Sequence, residues 1–411
     1  MPLLLFSFLL SSGFLPVHPP VWGFYGHRKI NRQAVYILPP EMQYFFKRNI
    51  DYLTEHAVDA DKRRYVSRFE AVRHYIDLDV HGEMPFDHIP RNWSEALFKF
   101  SDFYFLDEKS DTLSLFIKDS TSLSKGRPDT LCLHPKLSAG ISLKAPYRDF
   151  RRFFTQYFLP NYYEDTWTAP CDSLAKALNI SADSLSCTKL LAIDHLSEHG
   201  VLPWHLQAML RRLTDAFSVG DEKKIRRYAA DIGHYIGDAH VPLHTTENYN
   251  GQLTGQDGIH AFWESRLPEL FADERYDFWV GKATFIENPK DYFWNIVLES
   301  HSLVDSVLAI ESALRRQFPS DRQMCQERRG QTMVRTQCPE YAAAYDSRMG
   351  GMVEQRMRAA VRSVGSIWYT AWILAGQPDL RSLGPEVIGI DSTGIGEISE
   401  KRKFSISRKH E

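Results

Sequence analysis

The chain has 411 residues, 43% of them hydrophobic, with a formal net charge of −3 and a pI near 6.6. Such a chain can bury a sizeable core in one large domain, or in two or three smaller ones. Its charge balance excludes the basic footprint with which proteins grip duplex DNA, so an anionic substrate has to be attracted locally, for instance by bound metal ions.

Residues 1–14 are nearly all apolar or small, too short to span a bilayer and placed where a secretory leader would lie. Residues 1–21 are therefore expected to be a signal peptide and the protein to be exported, periplasmic or secreted. A helical segment opens after Trp22 and stops at Pro39-Pro40, and a second helix follows over 41–55. Residues 83–185 mix aromatic clusters, prolines and short polar runs and read as irregular loops with a few helices. Helical spacing returns over 203–217, 222–240, 290–317 and 340–376, with Asp221 a plausible cap. Strand signals are sparse, so the expected class is mainly α. No further segment reads as a transmembrane anchor, and the tail over 381–411, which ends in a basic run, reads as a disordered, solvated terminus. The five cysteines never fall in a C-x-x-C spacing, which argues against a thiolate zinc site. Cys171 with Cys187, and Cys325 with Cys338, are close enough to be disulfide candidates.

The densest chemistry lies between His234 and Glu264. His234 and Asp238 are four residues apart, as are His260 and Glu264, so on a helix each pair shares one face and can share a metal ion. Pro242 should end the first of these helices and let His244 project from the turn beyond it. Imidazole and carboxylate donors without cysteine suit zinc best, ahead of manganese or iron.

Upstream stand Trp22-Gly-x-x-Gly-His27, the charged run containing Asp59, Asp61, Lys62 and Arg64, and His74-Tyr-Ile-Asp77. With His234-x-x-Gly-Asp238-x-x-x-Pro-Leu-His244 and His260-x-x-x-Glu264, the order along the chain resembles the superfamily of single-strand-specific zinc endonucleases of moulds and plants and bacterial zinc-dependent phospholipases C. The resemblance spans residues 22–380. It implies one mainly helical phospholipase C/nuclease-like domain with three zinc ions in a cleft; nothing in it points to a stable protein partner, and it leaves the oligomeric state open.

The resemblance further implies a ligand set. One zinc falls to Asp59, His74, His234 and Asp238, and a second to His244, His260 and Glu264. The third falls to His27, a bridging Asp238 and the main chain of Trp22 at a processed N-terminus. Asp59 is the expected aspartate, with Lys62 as the basic residue that meets the phosphate; Asp61 with Arg64 is the alternative two residues on. The implied activity is phosphodiester hydrolysis by a metal-activated water, with single-stranded nucleic acid as the expected substrate. Glu264 points towards the phospholipase branch, because the nuclease branch usually ends its ligand set in Asp. A phospholipid substrate is therefore the alternative, and a metal-stabilised binding protein without catalysis is the reading from another class. Tyr75, Tyr249 and Phe262 are candidate surfaces on which a base could stack.

Overall fold

The computed structural model describes residues 24–107, 109, 111–117, 130–138, 143–164 and 166–383, so residues 1–21, Trp22 and the basic run that ends the chain lie outside the described residues. The described chain is mainly helical. At its centre is the helix Glu222–Ala239, begun by Asp221, whose carboxylate accepts a hydrogen bond from the Lys224 N–H at 3.0 Å. Its last three turns are buried on every side, as expected of a helix enclosed by others rather than laid on a surface. The enclosing helices are Phe24–Tyr36, Leu202–Val219 and Met352–Leu374.

Small residues set how closely these helices approach. At Gly233 a Cβ would stand 2.0 Å from Asn31 Oδ1, so only glycine leaves room for that side chain. The buried Asn31 amide donates to the Ala230 and Leu53 carbonyls at 3.1 and 3.2 Å, joining the first helix to two neighbours. On the opposite flank, Trp368 donates its indole N–H to the Ala229 carbonyl at 3.0 Å. Arg356, also buried, donates to the His240 carbonyl at 3.0 Å and to Ser300 Oγ at 2.6 Å. The long C-terminal helix is thereby fixed to the end of the central one. Among the described residues, no helix is long and apolar enough to cross a membrane.

The expectation of irregular loops over 83–185 is corrected. Strand Ser101–Leu106 pairs antiparallel with Lys189–Asp194, and Thr112–Ser114 and Trp167–Pro170 flank them in a four-stranded sheet. Ser101, Phe103 and Phe105 turn one face inward at the two-residue period of a strand, and Phe103 packs against Phe98, Phe150 and Phe154. The second helix expected over 41–55 is two, Pro40–Arg48 and Ile50–Glu55, broken at Asn49. Both candidate cysteine pairs form disulfides, Cys171–Cys187 beside the sheet and Cys325–Cys338 at the base of the hairpin Met324–Arg329/Thr332–Gln337.

Candidate metal centre

Local structure brings the distant donors together. Val241, preceding Pro242, is held extended, so the central helix stops and a single tight turn, Pro242–Thr245, aims His244 back towards Asp238. The His244 carbonyl accepts from the Ile76 N–H at 2.9 Å and so anchors the segment that carries His74. His260 and Glu264 sit on a short helix that widens into a π-turn over Phe262–Arg266. His27 lies on the first helix, where a Cβ at Gly237 would come within 2.8 Å of its Nδ1.

Asp238 divides its two oxygens between two sides. Oδ2 is 2.9 Å from His74 Nδ1 and 3.2 Å from His234 Nε2, while Oδ1 is 3.3 Å from His27 Nε2 and 3.6 Å from His244 Nε2. Glu264 is divided in the same way. Its Oε1 is 3.4 Å from His27 Nε2, and its Oε2 is 3.4 Å from His244 Nε2 and 2.6 Å from His260 Nε2. The sequence marks Glu264 as a partner of His244 and His260 only; its reach to His27 appears once the helices are packed.

The expected aspartate is replaced by its neighbour. Asp59 is half-buried and turns away from the histidines, bound to His56 Nδ1 at 2.5 Å and Lys62 Nζ at 2.8 Å. Burial pushes its carboxyl up, but the bonds from His56 and Lys62 outweigh this and hold it at about 2. Asp61 is buried, with Oδ1 3.7 Å from His234 Nε2 and 3.8 Å from His74 Nδ1. Lys62 is exposed, whereas Arg64 is largely enclosed and reaches Asp61 at 3.5 Å. The pair at the cluster is thus Asp61 with Arg64, and Asp59 with Lys62 stands outside it.

No family model matches the chain, and no curated protein matches it significantly. The donor chemistry therefore has to be read from these side chains. His234 Nδ1 lies 2.8 Å from the Ala57 carbonyl, which only accepts, so Nδ1 carries a proton and Nε2 is the ring nitrogen that faces the Asp61 and Asp238 carboxylates. Lone pairs facing carboxylates in a buried space repel unless a proton or a metal cation lies between them.

The titration behaviour carries the same message. Burial would lower His27, but Asp238 and Glu264 hold it well above its ordinary value. Burial likewise opposes a charged His244, and the same two carboxylates raise it. His74 is driven down to about 4 by burial, despite Asp238, and His260 is also lowered by burial. Burial would raise Asp61, Asp238 and Glu264; the surrounding histidines instead hold all three below the usual carboxylate range. These carboxylates are charged and demand positive charge.

The buried His, Asp and Glu groups can hold a metal ion. Their donor atoms fall into four sets, each within 4.8 Å: His27 with Asp61 and His234, His74 with His234 and Asp238, His244 with His260 and Glu264, and His27 with Asp238 and Glu264. Tetrahedral ligands about 2.0–2.1 Å from zinc lie roughly 3.3 Å apart. Most of the separations given above are near that value, so the donor set fits zinc in spacing as well as in kind. Of the candidate stacking rings, Tyr75 and Phe262 are buried at 5% and 1% exposure, and Tyr249 is half-buried with its ring 6.1 Å from His260. Asp77 is buried towards His199, 4.0 Å away.

Proposed function

We propose that this chain is a zinc-dependent phosphodiesterase that hydrolyses single-stranded nucleic acid. The observation that carries this reading is the double bridge, in which Asp238 and Glu264 each offer separate oxygens to separate histidines. A single structural metal needs no such sharing, whereas a compact cluster of several ions does. Asp61, His74, His234 and Asp238 would hold one zinc, His244, His260 and Glu264 a second, and His27 with Asp238 and Glu264 a third. Trp22, outside the described residues, is expected to complete the group around His27.

Zinc bound there supplies a Lewis acid for phosphoryl oxygen and makes water nucleophilic near neutral pH. The chain's own contribution is orientation and charge. The Ala57 carbonyl fixes the His234 tautomer, so that its Nε2 stays a donor to metal. Arg64, held against Asp61, places a permanent positive charge beside the cluster, where it can take an equatorial phosphate oxygen and stabilise charge in the transition state. Tyr249, beside His260, is the remaining candidate on which a neighbouring base could stack.

A second reading, phospholipase C, is favoured by Glu264 in place of aspartate and by the burial of Tyr75 and Phe262, which removes two stacking surfaces. The two disulfides support an exported protein, in keeping with a signal peptide over residues 1–21. The test is to assay zinc-loaded protein in parallel on denatured DNA, RNA and phosphatidylcholine, with and without a chelator. Chelator-sensitive cleavage of the nucleic acids is expected. Cleavage of the lipid alone transfers the assignment to the second reading, and inactivity on all three leaves a metal-stabilised binding protein.

A further inference from the structure

A second cavity, of about 240 Å³, opens where the sheet-bearing region meets the helical body. Arg73, in the turn just before His74, and Arg211 and Arg212, on the helix Leu202–Val219, give it three cations, and the facing segments give it Trp93, Tyr162 and Tyr163; no carboxylate lines it. Arg73 spends one guanidinium nitrogen on Glu70, at 2.5 Å, and a guanidinium has further donors. Arg211 and Arg212 are exposed at the rim. His205 also lines this cavity; it is 9% exposed, and its Nε2 is buried without a hydrogen-bond partner. Buried polar atoms of this kind are nearly always satisfied, so a ligand oxygen is the natural partner.

The aromatic wall is built rather than incidental. Tyr163 is 57% exposed, yet its ring is gripped edge-on by Phe69 at 5.2 Å and Tyr162 at 5.0 Å. Trp93 packs edge-on against Tyr162 at 5.3 Å from the other side. A planar ligand ring therefore meets a preset surface, which lowers the entropic cost of stacking. Whole-ligand pockets usually measure about 300–1,000 Å³, so this smaller cavity suits a phosphate and part of a ring, with the remainder lying over Tyr163.

The cavity is not a lobe of the metal centre. The buried Tyr235 ring stands between them, 4.5 Å from the His205 ring and 5.3 Å from the His74 ring. We propose that the cavity is a separate binding site for a nucleoside monophosphate unit, free or within a single strand, with the phosphate on the arginines and His205 and the base on Tyr163. The choice of a nucleotide over another aromatic anion rests on the phosphodiesterase reading.

The test titrates zinc-loaded full-length protein with 5′-AMP, inorganic phosphate and a short oligothymidylate by calorimetry. A site that binds 5′-AMP at least ten-fold more tightly than inorganic phosphate is expected. The double variant Arg211→Ala/Arg212→Ala should weaken that site at least ten-fold, and Tyr163→Ala should erase the preference over phosphate. Both variants alter exposed positions, and an unchanged circular dichroism spectrum verifies that they fold. Any nucleotide held at the metal centre gives a second isotherm that the arginine variant leaves alone, as it leaves turnover of bis(4-nitrophenyl) phosphate. Loss of the phosphodiesterase reading would thus show as absent turnover with the binding intact. Tighter binding of the oligonucleotide than of 5′-AMP assigns the site to the strand, and the reverse order assigns it to the free nucleotide. The proposal is overturned if wild-type protein binds neither at millimolar concentration, if phosphate binds as tightly as 5′-AMP, or if the double variant binds unchanged.

Discussion

Gly237 and His27 meet so closely that a Cβ on the glycine would stand 2.8 Å from His27 Nδ1. Gly237→Ala should therefore displace the imidazole that faces both Asp238 and Glu264. Overpacking a filled interior costs about 1–3 kcal/mol, and disturbing the support of a metal ligand commonly costs about 10–100-fold in affinity. Zinc content after dialysis and the thermal unfolding midpoint should both fall. Retention of full zinc content would show that His27 is not needed to hold metal.

Asp59 and Asp61 make opposite predictions. Asp61→Asn removes a buried charge facing His234 and His74, and should lower metal affinity or turnover by about 10–100-fold. Asp59→Asn loosens only the half-exposed contacts to His56 and Lys62, and should stay within about two- to three-fold of wild type. Arg64→Ala should slow turnover more than Lys62→Ala does. Side-by-side steady-state kinetics of the four variants, with metal content measured on each, will rank them.

Acid sensitivity has a source outside the metal centre. Burial pushes His81 down to about 4, with His199 adding to the effect, and burial also holds His205 well below its ordinary value. Both histidines stay neutral in the folded chain while the unfolded chain takes up protons near pH 6.5, so the folded state binds fewer protons in that window. The His81 contribution to stability is complete above about pH 6.5 and is lost as pH falls towards 4, and His205 acts in the same direction. Urea midpoints should drop from pH 7 to pH 5, and His81→Gln should flatten that slope. An identical slope in the variant would remove His81 from the account.

The hairpin disulfide closes a short loop between Cys325 and Cys338. Constraining a loop of that length in the unfolded chain contributes about 3 kcal/mol in the entropic view. The Cys325→Ser/Cys338→Ser variant should lose stability of that order in urea titrations and become insensitive to reductant at this bond.

Much of the centre was legible because its donors follow local rules. His234 with Asp238, and His260 with Glu264, are spaced for one helix face, and Pro242 announces the turn that aims His244. Asp59 against Asp61 was not legible by such rules. Residues two apart point to nearly opposite faces of a helix, and the tight turn His56–Val58 just upstream decides which face is inward. The sheet was hidden for another reason. Ser101–Leu106 finds its partner at Lys189–Asp194, and strands of three to six residues carry too little periodicity to announce so distant a pairing. Glu264 reaching His27 is likewise a product of packing between remote helices.

The double bridge has a consequence for how the protein is made. His27 emerges early in synthesis, while Glu264, which it must face, follows more than two hundred residues later. Until then the early histidine has no complete donor set, and closing so long a loop carries an entropic cost that only later packing repays. A nascent chain halted before Glu264 can hold at most part of the cluster. Metal loading at such a cluster would therefore be a late event, and full metal content would report that synthesis had passed Glu264 and that the remote helices had packed.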